Sequence, residues 1–367
     1  MFQSKKQFWL IPMVVFFCLI VKSYCYQSDK QDIPVEVFTH VNETNKFETA
    51  FSPDGKYLAI PGEKCLQIWD WQTGALIDEL DMPGADYMAF SNDGNYLAAC
   101  ERFDYRVLKL WNFPKRKEIL SVDGYKSPNI WGDLIKVRYY DLELTPDSKY
   151  LLALQTGGII NLWDLKRLRR IYIFDALVNL VDIEISPDGQ WLGAIGGGLE
   201  GRYIFIWELS TKKLIQKIEI DRNHPLLSLA FSPDSKRITC SSTNVIFVYD
   251  IASGKEIKHS QELDGYVDYI IYSPNGKYLV CVIDITMLNK DWFDWPGRWR
   301  ADLAIFEVET LNCIKRYHNQ VELSDEMNAN GRYDHVAFTP NGQHMCVICE
   351  GKTVVWKTPK ILYEDSK

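Results

Sequence analysis

The stretch "FSPDGKYLAIPGEKCLQIWDWQTG", residues 51–74, contains every element from which most of the chain is built. Its "SPDG" begins at Ser52 and joins a proline of fixed φ, an aspartate that bonds its own backbone and a glycine free to adopt positive φ. Those are the features of a tight turn. The apolar segments on either side predict two antiparallel strands joined as a hairpin. A third short strand is predicted to end at Trp69-Asp70.

The same pattern occurs seven times along the chain. The turn recurs with its first residue at Ser52, Ser91, Thr145, Ser186, Ser232, Ser273 and Thr339. An aromatic marker follows each turn, at Trp69-Asp70, Trp111-Asn112, Trp163-Asp164, Trp207-Glu208, Tyr249-Asp250, Phe306-Glu307 and Trp356-Lys357. A polar turn and a fourth apolar strand come after most markers. Seven repeats of four short strands predict an all-β, seven-bladed β-propeller of four-stranded blades.

These repeats resemble WD40 repeats, and the resemblance covers about residues 35–358. The set is degenerate, because only Trp69, Trp163 and Tyr249 are followed by the family's aspartate. The Gly-His before the first strand and the Asp between the second and third strands are missing in most repeats. The resemblance implies a propeller, and the missing positions imply that apolar packing replaces the family's buried His–Asp hydrogen bonds.

The closure of the ring is also predicted. The last repeat ends with its third strand, "TVVWK", whereas "VEVFTHV" (residues 35–41) alternates like a strand and has no repeat of its own. We expect this N-terminal segment to supply the missing fourth strand of the last blade, which removes an exposed sheet edge. Truncation of the segment is expected to destabilise the whole ring.

The N-terminus has the pattern of an export signal. Two lysines precede an uncharged apolar run from Phe8 to Val21, which is short for a membrane span and typical of a signal peptide, with cleavage expected after Cys25. An uncleaved membrane anchor is the alternative, and a lipid-modified Cys25 fits less well beside Lys22 and Tyr24. We therefore divide the chain into a signal peptide or anchor (1–25), a linker (26–34), the propeller (35–358) and a C-terminal tail (359–367), and we expect a secreted or periplasmic protein.

The charge of the chain argues against one class of partner, and its cysteine content argues against a disulfide-stabilised fold. The formal net charge of −8 and the absence of a long basic stretch argue against a nucleic-acid partner. Seven cysteines follow the signal segment, an odd number. Four of them, at Cys100, Cys240, Cys281 and Cys346, occupy the same part of the repeated second strand, which indicates small buried residues and not a disulfide framework.

Three inserted segments interrupt the regular spacing. Residues 285–301 add 16 residues between turn and marker (33 against 17), and residues 124–136 and 319–332 add 12 and 11 residues before the next turn (34 and 33 against 22). In a propeller of this kind, the connection between the second and third strands and the connection into each inner strand emerge on the same face. The three insertions are therefore predicted on one face, and the repeated turns on the other.

The insertions carry the candidate binding residues. One insertion contains Trp292, Trp295, Arg298, Trp299 and Arg300, and another contains Trp131. Exposed aromatic residues beside arginine are typical of binding hot spots for a protein or peptide, and they also suit a carbohydrate. The alternative is that the tryptophans anchor the long loop to the rim of the propeller.

The leading hypothesis is a non-catalytic propeller that binds a partner across the face with the insertions, with no cofactor or metal. The rival is a propeller enzyme of lactonase or redox type, with its site at the mouth of the central channel. No pair of histidines has metal-ligand spacing, and no nucleophile or acid–base pair can be named. His224, His318 and His335 are expected near the looped face. Convergence of His224 and His335 with carboxylates across the channel mouth would favour the enzyme.

Overall fold

A computed structural model describes residues 36–41, 48–62, 64–101, 107–124, 127–128, 134–135, 137–198, 201–220, 225–284, 301–318, 333–349 and 352–364. These residues belong to one compact unit, Glu36–Lys367. They form thirty β-strands and a short 3₁₀ helix. In the described part of the chain, no helix has the length and apolar character needed to cross a bilayer.

The strands follow the repeats in order. The first is β1 (Glu36–Val41). Blade 1 contains β2 (Ala50–Phe51), β3 (Tyr57–Pro61), β4 (Leu66–Asp70) and β5 (Ala75–Leu80). Blade 2 contains β6 (Tyr87–Phe90), β7 (Tyr96–Cys100), β8 (Val107–Asn112) and β9 (Lys117–Asp123). A small hairpin of β10 (Ser127–Pro128) and β11 (Leu134–Ile135) follows. Blade 3 contains β12 (Tyr139–Leu144), β13 (Tyr150–Gln155), β14 (Ile159–Asp164) and β15 (Arg169–Asp175).

The remaining blades are built from strands in the same order. Blade 4 contains β16 (Asn179–Ile185), β17 (Trp191–Gly197), β18 (Arg202–Glu208) and β19 (Lys213–Ile220). Blade 5 contains β20 (Leu226–Phe231), β21 (Arg237–Ser242), β22 (Ile246–Asp250) and β23 (Glu256–His259). Blade 6 contains β24 (Tyr266–Tyr272), β25 (Tyr278–Asp284), β26 (Ala301–Glu307) and β27 (Cys313–His318). Blade 7 contains β28 (Tyr333–Phe338), β29 (His344–Cys349) and β30 (Lys352–Lys357).

Each blade is a four-stranded antiparallel sheet, and the last one is completed by the N-terminal strand. In blade 7 the strand order is β1-β30-β29-β28. β1 pairs antiparallel with β30, with His40 opposite Thr353. The prediction of a seven-bladed propeller closed by residues near 35–41 is therefore confirmed. The closure hides an edge of β30 that would otherwise be free to pair with another chain.

The core lies between the blades. Among the described residues, seven apolar clusters each join two neighbouring blades, and the cluster of Leu58, Ile60, Trp71, Cys346 and Val355 joins blade 1 to blade 7. The ring is thus held by apolar packing at every blade interface, as the degenerate repeats predicted. The four cysteines of the second strands, Cys100, Cys240, Cys281 and Cys346, are buried free thiols, in agreement with the prediction.

The repeated turns form a continuous ring on one side of the propeller, which we call the turn face. In each turn the hydroxyl of the first residue accepts a hydrogen bond from a backbone N–H five residues later, as Ser52 Oγ does from Tyr57 at 2.8 Å. Neighbouring turns also touch. Asn92 Nδ2 donates to the Pro146 carbonyl at 3.2 Å, and Asp93 N–H donates to Ser148 Oγ at 3.1 Å. Each blade therefore braces the next on this face.

Every aromatic marker is the next-to-last residue of a third strand, and the outer strand beside it carries a β-bulge. At Trp69, for example, Ile68 pairs with Asp78 while Trp69 pairs with Leu76, which leaves Ile77 as the extra residue. The extra residue is β-branched and aliphatic in all seven blades. These residues are Val37, Ile77, Ile119, Ile171, Ile215, Ile257 and Ile314.

The segment after the last blade packs against the propeller. The 3₁₀ helix Lys360–Leu362 places Leu362, which has 0% exposure, in the apolar cluster between blades 6 and 7. Asn275, in the turn of blade 6, donates from Nδ2 to the carbonyls of Ile361 and Glu364 at 2.9 and 3.0 Å. Part of the segment that the sequence indicated only as a tail thus contributes to the core.

Candidate functional site

Antiparallel pairing separates the two faces of the propeller. The connections between second and third strands, and those from one blade into the next inner strand, leave on the side opposite the turn face, which we call the looped face. The three insertions leave from strand ends on this face, since they join β25 to β26, β9 to β12 and β27 to β28. The predicted binding residues Trp131, Trp292, Trp295, Arg298, Trp299 and Arg300 lie outside the described residues, as does His224. Their role stays a prediction.

The described part of the looped face has an exposed apolar site between blades 3 and 4. Leu177, in the connection from β15 to β16, is 86% exposed, and Val181 in β16 is 48% exposed. Leu177 has a left-handed backbone, with φ at 59°, and its N–H donates to Asp175 Oδ1 at 2.9 Å. A non-glycine residue in this region costs conformational energy. The strained turn therefore holds a large apolar side chain in solvent, a property expected of a contact residue.

A ring of polar residues lies below this face, along the inner strands. The residue four positions before each turn hydroxyl occupies the same place in every blade. In blade order these residues are Glu48, Tyr87, Asp141, Asp182, Ser228, Tyr269 and His335, and we call them the channel ring. Two positions further along the inner strands, blades 3 and 4 carry a second pair of acids, Glu143 and Glu184. None of the residues at these two positions is Lys or Arg.

The acids of the channel ring bond to the next blade. Asp141 Oδ2 accepts a hydrogen bond from the Ile183 N–H at 3.0 Å. Asp182 Oδ2 accepts one from the Leu229 N–H at 2.8 Å. The Met88 N–H of blade 2 bonds in the same way to the Glu48 carboxylate. Inner strands have one unpaired edge that faces the axis, so these carboxyl groups satisfy backbone donors that the sheet cannot.

The second pair of acids continues the pattern. Glu184 Oε2 accepts a hydrogen bond from the Phe231 N–H of blade 5 at 2.7 Å. The Asp141 and Asp182 side chains also interact with each other, and burial together with the charge of Asp182 raises the pKa of Asp141. Blades 3, 4 and 5 therefore meet at a compact group of four carboxyl groups.

Burial and mutual repulsion change the acidity of this group. Burial, followed by the charges of Asp182 and Glu48, raises the pKa of Asp141 well above its ordinary value. Burial and the Asp182 charge raise the pKa of Glu143 to about 8. Burial also raises the pKa of Glu184, with Glu143 as the main charged neighbour. Like charges in a poorly solvated space disfavour ionisation, so part of the acidic group holds protons at neutral pH.

His335 completes the ring beside Tyr269, with the two ring centroids 5.0 Å apart. It is 9% exposed, and its Nδ1 has no hydrogen-bond partner among the described residues. Burial lowers the pKa of His335 to about 4, so the imidazole is neutral at pH 7. A neutral imidazole has one nitrogen that accepts a hydrogen bond.

Sequence reasoning missed the channel ring, although a signal for it was present. "DLEL" at 141–144 and "DIEI" at 182–185 place acids at alternate positions of inner strands. His335 was expected near the looped face, and the structure places it in the channel ring near the start of the inner strand β28, beside Tyr269. His224 lies outside the described residues, so the convergence of His224 and His335 with carboxylates stays a prediction.

The marker residues have structural contacts. Asp70, Asp164 and Asp250 each accept a hydrogen bond at Oδ1 from the backbone N–H three residues later, at 3.0, 2.7 and 2.8 Å. They therefore hold the turn between the third and fourth strands. The aromatic markers Trp111, Trp207, Tyr249 and Phe306 are buried, whereas Trp69, Trp163 and Trp356 are half-buried.

Comparison with known proteins gives matches that are short or distant. The family "WD domain, G-beta repeat" matches residues 213–250, from the outer strand of blade 4 to the third strand of blade 5. The nuclear distribution protein nudF of Aspergillus niger is 24% identical over 262 residues, 64% of this chain and 56% of nudF. The LST8 homolog of Drosophila melanogaster is 23% identical over 223 residues, 56% of this chain and 64% of that protein.

A third relative, the target of rapamycin complex subunit wat1 of Schizosaccharomyces pombe, is 24% identical over 210 residues, 54% of this chain and 62% of wat1. The chain thus spans a little over half of the length of these relatives. The match to blades 4 and 5, the seven four-stranded blades and the aromatic marker in each of them lead to one conclusion. The chain is a seven-bladed β-propeller that is similar to WD40-repeat proteins.

Proposed function

We propose that this protein is an exported, non-catalytic scaffold that binds a protein partner across its looped face. The observation that carries the proposal is Leu177, a large apolar side chain held in solvent by a strained turn on that face. The three insertions leave from the same face, and four of the seven tryptophans outside the markers lie in them in the sequence. Aromatic and apolar side chains of this kind supply most of the binding energy at protein interfaces.

The similarity to a protein named as a complex subunit supports the same function. Among the described residues, the outer strands and the turn face have no comparable combination of an exposed large apolar residue and an adjacent inserted segment. We therefore assign binding to the looped face, with Leu177 and Val181 at its described part and Trp131, Trp292, Trp295, Arg298, Trp299 and Arg300 as the residues contributed by the insertions.

The test is capture of a partner from the source's envelope and extracellular extract with residues 26–367 as bait. Leu177→Asp and a triple variant with Trp292, Trp295 and Trp299 changed to Ala are compared with Ile215→Asp, which changes an exposed residue of an outer strand. A partner held by wild type and Ile215→Asp, and lost by the other two variants at unchanged melting temperature, supports the proposal. A partner held equally by all four proteins refutes it.

Export is part of the proposal and has its own test. A chain with residues 1–25 intact is expressed in its source, and the mature protein is recovered from the envelope or medium. An N-terminal sequence that begins at Tyr26 is the expected result. Recovery of the intact chain from the membrane fraction supports the anchored alternative, and recovery from the cytosol contradicts export.

A second candidate function is an enzyme with its site in the central channel. The specific observation is the interacting pair Asp141–Asp182, whose pKa values are both raised, in the same ring as the neutral His335. Displaced pKa values of this kind are common at catalytic sites. Turnover of lactones by wild type, abolished by Asp182→Asn, would establish this function. Equal background rates for both proteins would contradict the enzyme and leave the scaffold as the proposed function.

A further inference from the structure

On the turn face, one residue of each of the first six blades packs into the apolar cluster that joins its blade to the one before it. This residue lies two positions after the aromatic marker. In blade order it is Trp71, Phe113, Leu165, Leu209, Ile251 and Val308. All of these side chains are buried except Leu209, which is half-buried. The packing between blades 3 and 4 is therefore less complete at this face than the packing at the other five interfaces.

Blade 7 shows how a separate segment completes such an interface. It has the polar Thr358 at the same position, and the apolar side chain is supplied by Leu362, which is fully buried in the cluster between blades 6 and 7. Asn275, in the turn of blade 6, donates from Nδ2 to the carbonyls of Ile361 and Glu364 at 2.9 and 3.0 Å. A short segment that carries one leucine can therefore dock between two turns of this propeller.

Between blades 3 and 4 the turn face has an open groove of about 300 Å³. Its apolar lining includes Tyr150, Ile171 and Leu209. Ile171 is 38% exposed, although it is a large apolar residue. Lys212 also lines the groove, and its Nζ lies 5.6 Å from the ring centroid of Tyr172 in blade 3. The groove thus combines an apolar wall with a basic side chain, and it has room for a leucine.

The equivalent groove between blades 1 and 2 is covered by side chains of the chain itself. Phe113, which corresponds to Leu209, is 5% exposed, and the Arg116 guanidinium carbon lies 3.4 Å from its ring centroid. Arg116 is held there by Asp78, with Nε and Oδ2 3.7 Å apart. Lys212 has the position of Arg116 in blade 4, but it lies against a tyrosine of blade 3 and leaves Leu209 half-buried. The apolar surface is therefore accessible in the groove between blades 3 and 4.

Two basic segments border this groove. Residues 165–174, "LKRLRRIYIF", and residues 209–218, "LSTKKLIQKI", contain the turn before the outer strand and most of that strand in blades 3 and 4. Together they have seven lysines and arginines and neither aspartate nor glutamate, in a chain of net charge −8. Asp147 and Asp188 line the groove, but each accepts a hydrogen bond inside its own turn. The charge around the groove therefore complements an acidic ligand.

The shape of the groove favours a peptide over a lipid bilayer, because a flat surface cannot reach the space between two blades. Clusters of basic side chains are a common means of binding acidic segments. We propose that the groove between blades 3 and 4 binds an acidic segment of a protein partner, which inserts an apolar side chain between the turns as Leu362 does between blades 6 and 7. This surface lies on the turn face, so the inference goes beyond the proposed function of the looped face and does not depend on it.

The probe is a fluorescein-labelled peptide in which Ile-Leu-Tyr-Glu-Asp, the order of residues 361–365, is flanked by glutamates on both sides. Its binding to the protein is measured by fluorescence anisotropy at low salt, where exposed charges are little screened. One comparison peptide has serine in place of the leucine, which removes the apolar anchor at constant charge. Another has lysines in place of the flanking glutamates, which reverses the charge. Both comparison peptides are expected to bind at least tenfold more weakly.

The charge of the site is tested by Arg169→Glu/Lys213→Glu, which reverses two exposed side chains six positions after the markers of blades 3 and 4. The matched control is Lys117→Glu/Lys255→Glu, at the same, equally exposed position of blades 2 and 5. Both variants change the net charge by the same amount, so a general charge effect would act on them alike. We expect at least a tenfold loss of affinity in the test variant and a change within twofold in the control.

The apolar wall is tested by Ile171→Asp, and its matched control is Ile257→Asp. The two residues are the extra residues of the bulges in blades 3 and 5, and they are 38% and 47% exposed. Because neither side chain belongs to the buried core, both variants are expected to fold, and melting temperatures verify this. Affinity for the acidic peptide is expected to fall at least fivefold in Ile171→Asp and to stay within twofold in Ile257→Asp.

The absence of binding of the acidic peptide by wild type overturns the inference. Equal losses of affinity in Arg169→Glu/Lys213→Glu and its control, or equal binding of the leucine and serine peptides, also overturn it, because the attraction is then a general charge effect. Vesicles of phosphatidylglycerol are the last arm of the experiment. Vesicle binding that Ile171→Asp abolishes, without binding of the peptide, assigns the surface to a membrane and contradicts the peptide site.

Discussion

Asp182 of blade 4 accepts a hydrogen bond from the backbone N–H of Leu229 in blade 5, at 2.8 Å. The bond crosses between two sheets, and it satisfies a donor on the unpaired edge of an inner strand. Asp182→Ala leaves this buried donor without a partner, and we expect a loss of about 1–3 kcal/mol in the free energy of unfolding at pH 7. Urea denaturation followed by tryptophan fluorescence measures it.

Asp182→Asn is the control for that change. The amide oxygen still accepts from Leu229, and the buried charge is gone, so stability is expected to stay within about 1 kcal/mol of wild type. Equal losses for Ala and Asn would show that the interblade hydrogen bond does not contribute, and that the effect of Asp182→Ala comes from altered packing.

Glu143 makes stability depend on pH. Its pKa is raised to about 8 in the folded protein, above the ordinary value of 4.5, by burial and by the charge of Asp182. A raised folded pKa means that the unfolded state loses its proton first, so stability falls as pH rises from about 4.5 towards 8. Glu143→Gln removes this loss, and we expect a gain of roughly 1–3 kcal/mol at pH 8 and little change at pH 4.5.

The measurement is the free energy of unfolding at pH 4.5, 6 and 8 for wild type and Glu143→Gln. Glu219→Gln, at an exposed position of β19, is the matched control and should follow the wild-type profile. Parallel pH profiles for wild type and Glu143→Gln would contradict the argument that this carboxyl group is held protonated in the channel.

Most of the fold could be predicted from the sequence, and the channel ring could not. Each blade is encoded locally, by a turn of the type seen at Ser52 and by an aromatic marker, and the closing strand is visible because residues 35–41 have no repeat of their own. The channel ring depends on seven residues, 39 to 66 positions apart in the sequence, that meet only when the ring closes. "DLEL" at 141–144 signals charged residues in an inner strand, but it does not show which side chains face each other.

The contribution of Leu362 to the core could not be predicted from the sequence either. The short polar segment "KTPKILYEDSK" has no alternating or helical pattern of apolar residues that would indicate a buried side chain. Leu362 is fully buried between blades 6 and 7. We expect Leu362→Ala to lower the free energy of unfolding by about 2–4 kcal/mol through lost burial and a residual cavity. Ile361→Ala, at a neighbouring residue that is 46% exposed, is the control and should cost less than about 1 kcal/mol. Thermal and urea denaturation compare the two, and equal losses would refute the docked segment.

A substitution at Gly342 tests how tightly neighbouring turns pack against each other. Its φ is +69°, and a Cβ at this position would lie 2.9 Å from Pro274 Cγ in the turn of blade 6. Gly74 has a φ of +71° but nothing within 4 Å of its Cβ position. Gly74→Ala should therefore cost only the backbone penalty, about 1 kcal/mol, whereas Gly342→Ala should cost about 2–3 kcal/mol. Denaturation at pH 7 tests this, and a difference near zero would show that the two turns do not touch.

Removal of β1 tests the closure of the ring. A chain that begins at residue 42 leaves β30 with an unpaired edge, whereas a chain that begins at Glu36 keeps the strand. We expect the shorter chain to lose several kcal/mol and to aggregate at a rate that rises with concentration, because a free apolar edge pairs with other chains. Calorimetry and light scattering make the comparison. Equal melting temperatures for the two proteins would mean that the ring does not need this strand.

The bulges of the outer strands have a consequence for how any partner can attach. Seven blades present seven outward sheet edges, and each is a potential template for strand addition by another chain. A bulge beside each aromatic marker, with its extra residue from Val37 to Ile314, breaks the register of backbone donors and acceptors at the same level of every edge. An incoming strand would lose its hydrogen-bond ladder after two or three residues. The outer edges of the blades therefore disfavour the addition of a strand from another chain. The surfaces that remain for binding a partner are the two faces at the ends of the channel axis.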